Sequence, residues 1–192
     1  MAGTTLGEAL AERYAVEGLP PDGGASRPWF RVYLGPLTLH LPNPPARKQA
    51  VLFHDATHVL TGYDTVFSRG EMEISGYEIA SGCGRYWIAW LINLDMFALG
   101  LLVRPRSLFH AFVRGSRAAS LYSRPETRAD LSGMSVDGLR DLVTLDRDTR
   151  TPRVRERGRF GIWSVAAIAV VLLPVIAVSA AVRLVGKRRI HS

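Results

Sequence analysis

Twenty-two consecutive residues near the C-terminus, Gly161 to Val182 (GIWSVAAIAVVLLPVIAVSAAV), carry no charge. No other stretch restricts the fold as strongly. A helix over this run is roughly 33 Å long at 1.5 Å per residue, enough to cross a hydrocarbon core of about 30 Å. The alternative, a helix buried on all sides, needs more covering material than a chain of 192 residues provides. Pro174 is tolerated in a span, Trp163 sits where an interfacial anchor belongs, and Arg183, Lys187, Arg188 and Arg189 follow. The sequence therefore predicts a single-pass transmembrane helix at 161–182 and a basic tail at 183–192. Arg147, Arg150, Arg153, Arg155, Arg157 and Arg159 precede the run and outnumber the basic residues after it. That bias places the N-terminal body on the cytoplasmic side.

The formal net charge of +7 calls for an acidic partner, nucleic acid or an anionic membrane surface. No nucleic-acid motif appears, and the apolar run favours the membrane. The single cysteine, Cys83, excludes an intramolecular disulfide and a zinc ribbon. Met1 to Gly18 contains Glu8, Glu12 and Glu17 and no continuous apolar core, so it reads as a short amphipathic helix rather than a secretory signal. Leu6, Leu10 and Tyr14 share one side of that helix. Residues 19–28 are turn-rich, and Trp29 to Leu41 alternates loosely enough for one short strand or extended segment.

Chemistry concentrates in His54-Asp55-Ala56-Thr57-His58, with Glu71 following. Histidines four apart on a helix project from one face and can reach a single cation. Asp55 lies about 100° round from His54, at the edge of the same wedge. Two nitrogens and two carboxylate oxygens suit Zn2+, and also Fe2+ or Mn2+. Asn43 and Pro44 are suited to cap and begin the helix, and Gly62 to end it. The competing use of Glu71 is local: Ser68 with a glutamate three residues later is a capping box. Glu78, two turns further on, is either a partner orienting a histidine or a solvated surface charge. A metalloprotease helix would need glutamate where Asp55 stands.

These residues resemble the coenzyme Q (ubiquinone) biosynthesis protein four family, whose mark is His-Asp-x-x-His, eleven residues, then Glu. Here the text reads HDATHVLTGYDTVFSRGE. The resemblance extends from about Pro42 through Leu142, through the TGY after the second histidine, the Gly-Glu opening the next helix, and the long apolar helix followed by Arg-Pro-Arg. This chain has twelve residues between His58 and Glu71, one more than the pattern. A loop at Phe67-Ser68-Arg69 would absorb it; otherwise Glu73 becomes the candidate. The anchor at 161–182 is an addition to the family core. The resemblance implies an all-α domain with a zinc-type site at His54, Asp55, His58 and Glu71. It also implies an apolar surface for polyprenyl lipid and C1 decarboxylation-type chemistry on a polyprenylated ring. The same resemblance allows a non-catalytic scaffold that organises other quinone-biosynthesis proteins. Self-association is left open.

Of the remaining chain, Tyr86 to Val103 is apolar but holds Asn93 and Asp95, and an aspartate near the centre of a span costs about 2.5–3.5 kcal/mol. It reads as a central core helix. Pro105 to Leu121 alternates arginines with apolar residues at helical spacing, fitting either a helix on an anionic bilayer or one packed on the core. Ser135 caps a short final helix through Val143. The expected layout is a compact helical domain at 1–145, a basic linker at 146–160, the span and the tail.

Overall fold

The computed structural model describes residues 3–34, 37–66, 69–124, 128–143 and 151–190, with side chains omitted for 31–39, 128 and 174–190. Eight α-helices make up most of it: α1 (Leu6–Val16), α2 (Pro45–Thr61), α3 (Gly70–Ser81), α4 (Trp87–Val103), α5 (Pro105–Ser116), α6 (Arg128–Gly133), α7 (Val136–Leu142) and α8 (Val154–Ile190). A 3-10 turn covers Leu121–Ser123. The fold is all-α apart from one small sheet. That sheet is a hairpin of β1 (Trp29–Leu34) and β2 (Leu37–Pro42), antiparallel, with Trp29 opposite Pro42. The alternation anticipated one strand; the chain doubles back and makes two.

Local chemistry sets the helix ends. Thr5 and Glu8 form a reciprocal capping box at the start of α1, and Leu6, Leu10 and Tyr14 are its buried face. Gly62, at φ 75°, ends α2 in the left-handed conformation that a side chain disfavours. Ser135 accepts from the amide of Gly138 at 3.1 Å and caps α7. Asn43 does not cap α2. The helix begins at Pro45 after Pro44, and Asn43 is buried, with Nδ2 donating to the carbonyls of Gly24 and Arg27 at 3.2 and 2.9 Å. It ties the 19–28 loop down instead.

Helices α3 and α5 pack closely because two glycines face the partner's backbone. A Cβ on Gly115 would lie 2.2 Å from the Tyr77 carbonyl oxygen, and one on Gly76 would lie 2.7 Å from that of Leu108. Two apolar clusters result. One gathers α1, α2, the 3-10 turn and α7 around Leu6, Leu52, Phe53 and Leu139. The other gathers α3, α4, α5 and α8 around Ile79, Phe97, Phe112 and Ala167.

Two expectations change here, for α4 and the linker, and for α5 the core-packed alternative holds. Helix α4 is not central: Asn93, Phe97 and Ala98 are buried, but Trp87, Leu91, Leu102 and Val103 are exposed, because α3, α5 and α8 cover only one side. Helix α5 is a core helix, its apolar residues Leu108, Ala111, Phe112 and Val113 buried rather than turned to a bilayer. The linker expected at 146–160 is helical from Val154 onward, so its arginines 155, 157 and 159 belong to α8.

The first turns of the uncharged run pack on the body. Trp163 stacks on Trp90 at 5.2 Å, Phe160 meets Phe97 and Phe112 at 5.3 Å each, and Ala167 is buried. The outer face, with Ile162, Val165, Ile168, Val171, Leu172 and Leu173, is exposed. Among the described residues no helix is long and apolar enough to cross a membrane. The span expected at 161–182 runs past Leu173, the last residue of α8 whose side chain is described, so only the backbone of its second half is described, and that backbone is helical.

Candidate metal centre

Helix α2 presents His54 and His58 one turn apart, their rings in edge contact with centroids 4.9 Å apart. Helix α3 supplies the third member. The Glu71 carboxylate lies between the two, Oε2 3.3 Å from His54 Nε2 and Oε1 3.3 Å from His58 Nε2. One ligand atom from each residue falls within 4.8 Å of the others. His58 is 1% exposed, whereas His54 and Glu71 are 27% and 23% exposed, so the cluster has an inner wall and an open side.

Glu71 reaches the histidines because the loop before α3 is held by another carboxylate. Asp64 Oδ1 accepts from the amides of Val66 and Gly70 at 2.9 and 3.1 Å, and Asp64 is paired with Arg69. Gly70 is required there, since a Cβ would fall on the Asp64 backbone. The predicted capping box is not where Glu71 spends its carboxylate; Ser68 lies outside the described residues. Glu73 is two residues on, about 200° round the helix. Its carboxyl is raised by burial and by Asp64, and lowered by Arg104 and Arg69; the histidines are not among its neighbours.

Asp55 does not join this cluster. Its Oδ2 accepts from the Tyr14 hydroxyl at 2.6 Å, which ties α2 to α1. Gly23 closes over that pair: a Cβ there would come within 2.8 Å of both. Burial raises the Asp55 carboxyl, and the nearby histidines and the Tyr14 hydrogen bond oppose it.

Glu78 is 1% exposed, which overturns its reading as a solvated charge. Its Oε2 lies 3.3 Å from His54 Nδ1 and accepts from Asn93 Nδ2 at 2.7 Å and the Tyr122 hydroxyl at 2.9 Å. Asn93 comes from α4 and Tyr122 from the 3-10 turn, so three elements converge behind one histidine. His58 has a different partner, its Nδ1 3.1 Å from the Tyr63 carbonyl oxygen.

These partners decide the tautomers. A carbonyl oxygen can only accept, so His58 carries its proton on Nδ1 and leaves Nε2 a bare lone pair. That Nε2 is buried without a hydrogen-bond donor among the described residues. The same assignment for His54, with Nδ1–H donating to Glu78, turns a second lone pair towards Glu71. Two lone pairs and a carboxylate then face one another with no donor between them, and a cation fits. In its absence a proton takes that place. Burial alone would lower the His54 imidazolium's pKa, but Glu78 and Glu71 hold it well above the ordinary value. Burial pushes Glu71 up, and its bonds to His54 and His58 outweigh that and hold it far below the usual carboxylate range.

Two histidines and one glutamate are the donor set of catalytic zinc and of the facial triad of non-haem iron, each with coordination positions left over. Arg47, two turns before His54 on α2, adds positive charge on the same stripe. Its guanidinium lies 4.1 Å from the Phe30 ring centroid and donates to Asn43 Oδ1 at 3.3 Å. Burial lowers its pKa, and Asp55 and Glu71 oppose this.

No family model matches the chain, and neither a curated protein nor a solved structure matches it.

Proposed function

We propose that the chain is a metal-dependent, membrane-held protein of ubiquinone biosynthesis, acting on the carboxylated ring of a polyprenylated precursor. The observation that carries the metal reading is the convergence of His54, His58 and Glu71 within 4.8 Å, with the buried Nε2 of His58 lacking a donor among the described residues. The substrate class rests on the His-Asp-x-x-His text and its surroundings from Pro42 through Leu142. Membrane attachment rests on the uncharged run and on the exposed apolar face of α8.

His54, His58 and Glu71 would hold Zn2+, Fe2+ or Mn2+, and the bound ion supplies a Lewis acid for the ring carboxylate or hydroxyl. The rest is the work of the chain. Glu78 and the Tyr63 carbonyl accept hydrogen bonds from the two Nδ1–H groups and fix both rings. The exposed edges of His54 and Glu71 admit a ligand, while buried His58 keeps water from the inner side. Arg47 brings positive charge to an anionic substrate. Asp55 is spent on Tyr14, which leaves three ligands rather than four among the described residues. A closed shell of four protein ligands would favour the scaffold; three with open positions favour an enzyme.

The test is purification of the full chain in detergent, with metals measured by mass spectrometry and bound lipid extracted and identified. About one divalent ion per chain, together with a prenylated ring compound, is the expected result. A preparation holding neither, even after reconstitution with Zn2+, Fe2+ and Mn2+, overturns the proposal.

A further inference from the structure

The start of α8 lines a cavity of about 140 Å³ with Ser116, Arg153, Arg155, Glu156 and Arg159. Its single carboxylate is already committed. Glu156 accepts Arg117 Nε at 2.7 Å and Arg117 Nη2 at 2.9 Å, and Oε2 also takes the backbone amide of Arg153 at 2.7 Å. That paired charge leaves three guanidinium groups as the excess in the cavity. Arg159 is oriented by one Nη2 bond to the Ala80 carbonyl at 3.1 Å, with its other donors unspent among the described residues. The side chains of Arg153 and Arg155 have no hydrogen-bond partner among the described residues. Arg155 and Arg159 stand four apart on one helix face, a like-charge arrangement that repels unless an anion lies between them.

Position narrows the anion. The uncharged run begins at Gly161, two residues after Arg159 and six after Arg155, or about 3 and 9 Å along the helix. The polar zone of each leaflet is about 5–7 Å deep, so Arg159 lies at the depth of lipid phosphates, and Arg155 and Arg153 stand on its outer side, where their long side chains can reach in. We propose that this cavity holds the phosphate of an anionic lipid headgroup, gripped by Arg153, Arg155 and Arg159 while the acyl chains follow the exposed face of α8. The inference rests on α8 as the membrane-attached element, and it distinguishes a built site from a merely basic stretch. Arg157 is the internal comparison: it is on the same helix and exposed, as Arg153 and Arg155 are, but does not line the cavity.

The test uses the full chain in neutral detergent micelles, titrated with dioctanoyl phosphatidylglycerol and read by calorimetry. Saturable binding is expected, weakened about tenfold or more in R153A/R155A and within about twofold of wild type in R106A/R157A, which removes the same charge. Equal weakening of the two variants, or no saturable binding, overturns the site. Displacement of the lipid by millimolar inorganic phosphate with matched affinity overturns the headgroup assignment in favour of a soluble phosphate. Membrane attachment is read separately, by retention of the full chain in membranes after an alkaline carbonate wash. Loss of attachment with lipid binding intact sinks only the anchor, whereas retention with equal variants sinks only the cavity.

Discussion

Glu78 Oε2 sits 3.3 Å from His54 Nδ1, on the side of the imidazole turned away from Glu71. A carboxylate in this place fixes the ring and makes it a stronger ligand, and loss of such a partner typically costs about 10–100-fold in metal affinity. Glu78→Gln keeps the volume and an acceptor for Asn93 and Tyr122, so the protein stays folded. Its affinity for Zn2+ should fall about tenfold, and the ligand-field bands of a Co2+ derivative should move. A purely structural Glu78 would lower the melting temperature and leave the affinity and the Co2+ spectrum where they were.

Asp55 separates adjacency in sequence from membership of the site. Since its carboxylate accepts from Tyr14 and lies outside the cluster, Asp55→Asn should match wild type in metal content. Tyr14→Phe removes a hydrogen bond to a charged group, worth about 1.5–3 kcal/mol, and should lower stability without changing metal content. Chemical denaturation and metal analysis of the two variants check this. A metal-free Asp55→Asn protein that is otherwise folded would make Asp55 a ligand.

Glycine at position 115 is fixed by the backbone opposite. Alanine is the better helix former by about 1 kcal/mol, but its Cβ would lie 2.2 Å from the Tyr77 carbonyl oxygen, and backbone cannot step aside as a side chain can. Gly115→Ala should therefore destabilise the protein by about 3 kcal/mol or more. Gly158→Ala, in α8 with nothing within 4 Å, should stabilise it by up to about 1 kcal/mol. The opposite signs, measured in one denaturation series, are the point of the comparison.

The sequence displayed what depends on neighbours along the chain. Spacing put His54 and His58 on one face of α2, the pattern around them picked out Glu71, and Gly62 marked the helix end. It left open what depends on partners far away. The commitment of Asp55 to Tyr14 joins residues in α1 and α2, and no local pattern shows it. Glu78 is two turns from Glu71 and so on the right face, but its burial depends on Asn93 in α4 and Tyr122 in the 3-10 turn. Helix α5 showed its amphipathic pattern plainly. Whether the apolar side met α3 or a bilayer depended on Gly76 and Gly115 letting two helices close together.

Arg117 and Glu156 join α5 to the start of α8 through two parallel hydrogen bonds, and that tether is acid-labile. The Arg117 guanidinium, with the Arg153 amide, holds the Glu156 carboxyl below its ordinary value against the opposing effect of burial. Because the folded pKa is depressed, the unfolded chain binds the proton more readily. The contribution to stability is thus present above the ordinary carboxylate range and is lost as pH falls through the folded value. Glu156→Gln should be less stable than wild type by about 2 kcal/mol at pH 7, the scale of hydrogen bonds to charged groups. The gap between the two proteins should begin to narrow as the pH is taken below about 4, where the unfolded wild type takes up its proton, and close as the folded carboxyl follows at lower pH. Melting temperatures of both proteins in detergent at pH 7, 5 and 3.5 measure it, and a gap that stays constant down to pH 3.5 would show that the tether does not depend on the ionised carboxylate.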